Sequence, residues 1–112
     1  MYAEDDLRDG ESFYDRSKVL GEIDNDKDFT IRAYIIGPDL DPNGIGLLNW
    51  FLMQKGVITG YTKAIWTGMT TLELSKCIEK VATDKLHGLY NMVPKTSISK
   101  YDLLGLCNRY LR

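Results

Sequence analysis

Three hydroxyl-x-x-acid tetrads, Ser12 with Asp15, Thr70 with Glu73 and Ser99 with Asp102, each stand just ahead of apolar residues at three-to-four spacing. A Ser or Thr hydroxyl that accepts a bond from the amide three residues on, answered by an acidic side chain, satisfies the free N–H groups of a helix start. The three tetrads therefore fix where helices begin. Between them lie β-branched and aromatic runs bounded by Gly and Pro, so the chain must alternate helix with strand. The first helix is expected over about 13–24, with Phe13, Val19, Leu20 and Ile23 on its apolar side. A buried strand is expected over 29–36, ended by Gly37-Pro38. After the turn formers of 39–43 a helical pattern runs through Ile45, Leu47, Leu48, Phe51 and Leu52 to Gly56. Residues 57–61 form a short strand candidate. Thr70 opens the longest helix, with Leu74, Cys77, Ile78, Val81 and Ala82 inward and Gly88 ending it; a strand over 89–93 follows. The last helix turns Leu103, Leu104, Cys107, Tyr110 and Leu111 inward.

This order predicts a single α/β domain over 1–112, its strands mostly parallel and alternating with helices. A helix of such a fold normally follows the strand it packs on, so a chain that opens on a helix carries the expectation of further structure upstream. The 112 residues suffice for one core. With a net charge of -2 and a pI near 5.3, and with the charges interleaved, there is no basic footprint for nucleic acid. Apolar runs are too short to span a bilayer, and the first residues are acidic where a signal peptide is basic, so the expected location is cytoplasmic, with no membrane partner. Cys77 and Cys107 lack metal or redox spacing and are expected in the core. His87 stands without a second ligand, and no metal site is expected; its place is the surface near a helix end.

Tyr14 and Lys18 are four apart on the first helix and so share one face. A carbonyl that receives hydride must gain a proton on oxygen, and a phenol beside an ammonium is a suitable donor because the cation stabilises the phenolate. The pair sits inside Phe13-Tyr14-Asp15-Arg16-Ser17-Lys18-Val19-Leu20-Gly21-Glu22. That segment resembles the Y-x-x-S-K-x-x-G-E pattern of extended short-chain dehydrogenases/reductases. Tyr2-Ala3-Glu4-Asp5-Asp6 is similar to the family's approach to this helix, and Ile31-Arg32 through Gly37-Pro38 to its next strand. The segment from Ala64 to Leu74 resembles a later loop near the sugar nucleotide, with the flavour of the dTDP-4-dehydrorhamnose reductase-like branch.

The resemblance implies the C-terminal part of a Rossmann-like, NAD(P)-dependent nucleotide-sugar reductase. Tyr14 would be the proton donor to the C4 carbonyl, and Lys18 would lower its pKa and hold the nicotinamide ribose. Arg32 and Trp66 match by segment and are the substrate-binding candidates; a structural role for Arg32 and a packing role for Trp66 are the competing readings. The cofactor implied for the complete protein is NADP or NAD. The implied ligand is a nucleotide-linked sugar, and the implied protein partner is a second copy or a complementing N-terminal half. The family's Gly-rich turn has no counterpart: Gly44-Ile45-Gly46 follows a Pro-containing loop and carries Asn49 where a third glycine would stand. The chain alone is therefore expected to bind the cofactor weakly and not to turn over. An epimerase or dehydratase fragment would use the same Tyr14 and Lys18, and a non-catalytic α/β interaction module is the alternative of another class.

Overall fold

The structure is a computed structural model describing residues 3–112. It is a small mixed α/β chain: α1 (Phe13–Leu20), β1 (Phe29–Arg32), β2 (Ile35–Ile36), α2 (Leu47–Met53), β3 (Ile65–Trp66), β4 (Met69–Thr70), α3 (Thr71–Asp84), β5 (Gly88–Asn91), β6 (Ile98–Ser99) and α4 (Lys100–Leu111). Each of the three expected caps is present. Ser12 and Asp15 form a complete reciprocal box. Glu73 N–H donates to Thr70 Oγ1 at 3.1 Å, and Asp102 N–H to Ser99 Oγ at 3.0 Å.

The chain divides into two compact units, Met1–Ala33 with Ile78–Met92, and Tyr34–Cys77 with Val93–Arg112. The first holds the parallel pair β1·β5, with Phe29 opposite Gly88 and Arg32 opposite Asn91. The second holds the parallel pair β2·β4 and the antiparallel pair β3·β6. Short two-stranded ladders thus replace a continuous sheet among the described residues. The strand expected over 29–36 changes partner: Arg32 pairs with β5, whereas Ile35 pairs with β4, and Ala33 and Tyr34 belong to neither ladder.

Helix ends also depart from expectation, for local reasons. α1 stops at Leu20 because Gly21 follows, its N–H turned to the carbonyls of Ser17 and Lys18. The side-chain oxygen of Asn25 then accepts from the Lys27 and Asp28 amides in a tight Asx turn. α3 is closed by Lys85 rather than Gly88. Lys85 takes a left-handed φ of 52°, its N–H reaching Ala82 O and the next amide, Leu86, reaching Val81 O, which is a Schellman closure. Gly88, at φ 100°, instead begins β5. Residues 57–61 form no strand, although Tyr61 O accepts from Tyr101 N–H. No helix of the described residues is long and apolar enough to cross a membrane.

Burial is concentrated in the second unit. Phe51 of α2, with Leu103 and Cys107 of α4, is its apolar centre, beside Ser99. Gly68 is buried there too, because a Cβ at that position would run into the Trp66 indole and lie 2.6 Å from Tyr34 O. Tyr110 and Leu111, expected inward on α4, are exposed. In the first unit no described residue is buried. The expected apolar side of α1 faces water, with Phe13 91% and Leu20 87% exposed. Cys77 is half-buried, so only Cys107 is a core thiol.

Candidate functional site

α1 brings Tyr14 and Lys18 together on one exposed face. The Lys18 ammonium lies 5.4 Å from the centre of the Tyr14 ring. Between them Ser17 turns its hydroxyl back onto Tyr14 O at 2.7 Å, which ties the motif serine to the helix backbone. The box at Ser12 fixes the helix start just ahead of Tyr14, so Tyr14 and Lys18 leave a capped, regular helix. Chemically, the arrangement offers a phenol and a cation to anything that covers this face.

Arg32 is held elsewhere in the same unit. Its guanidinium makes a bidentate pair with Glu22, Nε to Oε1 at 2.6 Å and Nη2 to Oε2 at 2.8 Å, and Nη1 donates to Glu4 O at 2.9 Å. Arg8 Nε also reaches Glu22 Oε2, at 2.7 Å. The hydrogen bonds from Arg32, with a smaller contribution from Arg8, outweigh partial burial and hold the Glu22 carboxyl down at about 2. The same pairing pushes Arg32 up. The Glu4 carboxylate accepts the Asn91 N–H at 2.8 Å, and that backbone bond lowers it. The motif's last residue, Glu22, is therefore the anchor of an ion cluster that joins the end of the α1 segment to β1. The sequence carried its signal only as opposite charges ten residues apart. Tyr2 of the approach segment lies outside the described residues.

Trp66 belongs to the second unit, on β3, where Trp66 is registered with Ile98 and its indole lies along Gly68. It is half-buried. Tyr14, Lys18 and Arg32 thus share a unit, with Arg32 committed to Glu22, while Trp66 is placed by the packing of β3. His87 is exposed, three residues past the end of α3. No cluster of three or more metal-ligating side chains occurs among the described residues.

Were a dinucleotide to lie on this face, Tyr14 and Lys18 would offer its nicotinamide ribose a hydroxyl and a cation. The pyrophosphate end does not fit. The turn that would have to hold it, Gly44 to Gly46, is closed on the Asp39 carboxylate: Gly46 N–H donates to Asp39 Oδ2 at 2.8 Å, and a Cβ on either glycine would strike that side chain. The Gly46 amide faces a carboxylate of the chain itself and the Gly44 amide faces the Asp41 carbonyl, so neither is turned to a phosphate. No protein-family model, no curated protein and no solved structure matches this chain.

Proposed function

We propose that this chain is the catalytic-helix and substrate-binding portion of an NAD(P)-dependent nucleotide-sugar reductase, the C-terminal part of a Rossmann-like extended short-chain dehydrogenase/reductase fold. The observation that carries the reading is the Tyr14–Lys18 pair, exposed on one face of a capped helix inside a Tyr-x-x-Ser-Lys-x-x-Gly-Glu segment. Reduction of a sugar C4 carbonyl needs hydride on carbon, which a bound NADPH or NADH supplies, and a proton on oxygen. This chain provides the second: Tyr14 donates its hydroxyl proton to the carbonyl oxygen, and the adjacent Lys18 ammonium stabilises the phenolate left behind. Glu22 and Arg32 are positioning residues in this reading, fixing the segment that follows α1 against β1. Trp66 is the aromatic surface offered to the nucleotide or sugar. The same proton transfer serves an epimerase or dehydratase. The interaction-module reading draws its support from a first unit in which none of the described residues is buried.

The test is an NMR titration of the chain with a dTDP-linked and then a UDP-linked sugar, followed by NADPH. Saturable shifts of the Tyr14 and Lys18 amides with a nucleotide sugar, weakened at least about tenfold in Tyr14→Phe and Lys18→Met, are the expected result; tenfold corresponds to one lost hydrogen bond of about 1.4 kcal/mol. Absence of a response to either sugar removes the reading.

A further inference from the structure

Gly105 stands in the middle of α4, and inside a helix glycine is the least favoured residue after proline. Such a glycine ordinarily makes room for a neighbour. Here it makes room for none: a Cβ at this position would meet nothing within 4 Å. Gly60 is the contrast, because a Cβ there would lie 2.7 Å from the Tyr101 ring, so its bareness lets the chain pass close to α4. The space kept open by Gly105 belongs to a groove of about 540 Å³ that lies wholly within the second unit. That is the size of a small-ligand cleft, roughly 300 to 1,000 Å³.

One wall of the groove is the stripe of α4 carrying Tyr101, Leu104, Gly105, Asn108 and Arg109, spaced three and four apart. The other is the segment after α2, which turns alternate residues, Gly56, Ile58 and Gly60, toward the groove, as extended backbone does. Buried Phe51 and half-buried Ile98 complete it, so that with Ile58 and Leu104 its surface is mainly apolar. Charge enters first at Asp102 and again at Arg109, about 10 Å further along the helix. Asp102 is committed: its carboxylate accepts the Ser99 hydroxyl at 2.6 Å, at a helix start where the macrodipole favours it. Arg109 is not. Among the described residues it has no carboxylate partner, only the Tyr110 ring with its centre 5.4 Å away. Arg112, one turn on, reaches across to Phe51 O and Gln54 O, which ties α4 to the end of α2 and bounds the groove there.

We propose that this groove binds a small organic anion, one carboxylate on an apolar body, with the carboxylate paired to Arg109 and the body lying over Gly105 between Ile58 and Leu104. Charge complementarity sets the sign of the head group, since the committed charge is the anion and the uncommitted one the cation. A guanidinium takes a carboxylate through two parallel N–H···O bonds. The walls set the body, since polar groups buried against Ile58, Leu104 and Phe51 would be left without partners. The Arg112 tie sets the length: a molecule that ends at Arg109 fits, whereas a polypeptide running through the groove would have to displace the bonds to Phe51 O and Gln54 O. The site uses neither Tyr14 nor Lys18, and it stands or falls apart from the reductase reading.

The probe is octanoate, with 1-octanol and octylamine as its neutral and cationic counterparts, each added to the full chain and followed by amide NMR. The expected result is saturable shifts at Ile58, Gly60 and Gly105 with octanoate, and binding at least about tenfold weaker for octanol and octylamine. Arg109→Gln should bring octanoate down to the level of octanol. Gly105→Leu, whose side chain fills the groove while suiting the helix better than glycine, should abolish the response, with Cys107 still slow toward iodoacetamide as proof that α4 remains packed. Should Gly105→Leu expose Cys107, Ile58→Gln makes the same test from the opposite wall and should weaken octanoate and octanol alike. The proposal is overturned by octanol or octylamine binding as tightly as octanoate, by Arg109→Gln binding octanoate undiminished, or by Gly105→Leu binding it with Cys107 protected. Shifts that never saturate and spread over exposed Leu40 and Val57 overturn it as well.

Discussion

Replacing Glu22 by Gln tests the ion cluster that links α1 to β1, and its effect depends on pH in a defined direction. The Glu22 carboxyl is held at about 2 against an ordinary 4.5, chiefly by hydrogen bonds from Arg32 and secondarily by Arg8. A carboxyl lowered by folding adds stability that is fully present above about 4.5 and is lost as pH falls toward 2. At about 1.36 kcal/mol per pH unit the shift is worth at most about 3 kcal/mol. Because Arg8 is 39% and Arg32 23% exposed, solvent screens part of it, and about 2 kcal/mol is the working figure. Glu22→Gln should therefore unfold at lower urea than the parent at pH 7, by that amount, and the two should converge near pH 2. The assay is urea denaturation at a series of pH values, read on the Arg32 and Tyr90 amide signals, together with a carbon-detected titration of the Glu22 carboxyl. A Glu22 midpoint near 4.5, or a mutant deficit that persists undiminished at pH 2, would refute the electrostatic account.

Two further outcomes concern the second unit. Gly68→Ala places a methyl against the Trp66 indole and 2.6 Å from Tyr34 O, a backbone atom with little room to retreat, and should cost about 1–3 kcal/mol, seen as a lower midpoint for the Trp66 indole N–H signal; an unchanged midpoint would mean that the indole does not lie there. Burial pushes the Cys107 thiol up, so iodoacetamide at pH 8 should label Cys107 at least about tenfold more slowly than half-exposed Cys77, the rates converging in urea; equal rates in buffer would show that α4 is not packed as described.

The helix starts were legible because each depends on residues three apart. Ser12 and Asp15, Thr70 and Glu73, and Ser99 and Asp102 carry their own partners within one turn. Strand pairing was less legible, since it depends on residues far along the chain. The run through Phe29 to Ile36 has uniform composition, and nothing local marks Ala33 as the place where its partner changes from β5 to β4. The two-residue strands Ile65–Trp66 and Ile98–Ser99 are too short to leave a periodic signal. Lys85 was hidden for another reason: a left-handed residue at a helix end is most readable when it is glycine, and here the glycine stands three positions later. Of the candidate site, the Tyr14–Lys18 proximity followed from helical spacing alone. The commitment of Arg32 to Glu22 required knowing that the turn after α1 returns beside β1.

Arg112 gives the second unit an unusual dependence on a single cationic side chain. The guanidinium donates to Phe51 O and Gln54 O at the close of α2 and lies 4.4 Å from the centre of the Phe51 ring. Replacing this one arginine by Ala would uncap two carbonyls and uncover the most deeply placed aromatic of the unit at once. The loss of one charged side chain, ordinarily silent at a surface, would here register as a loosened interior.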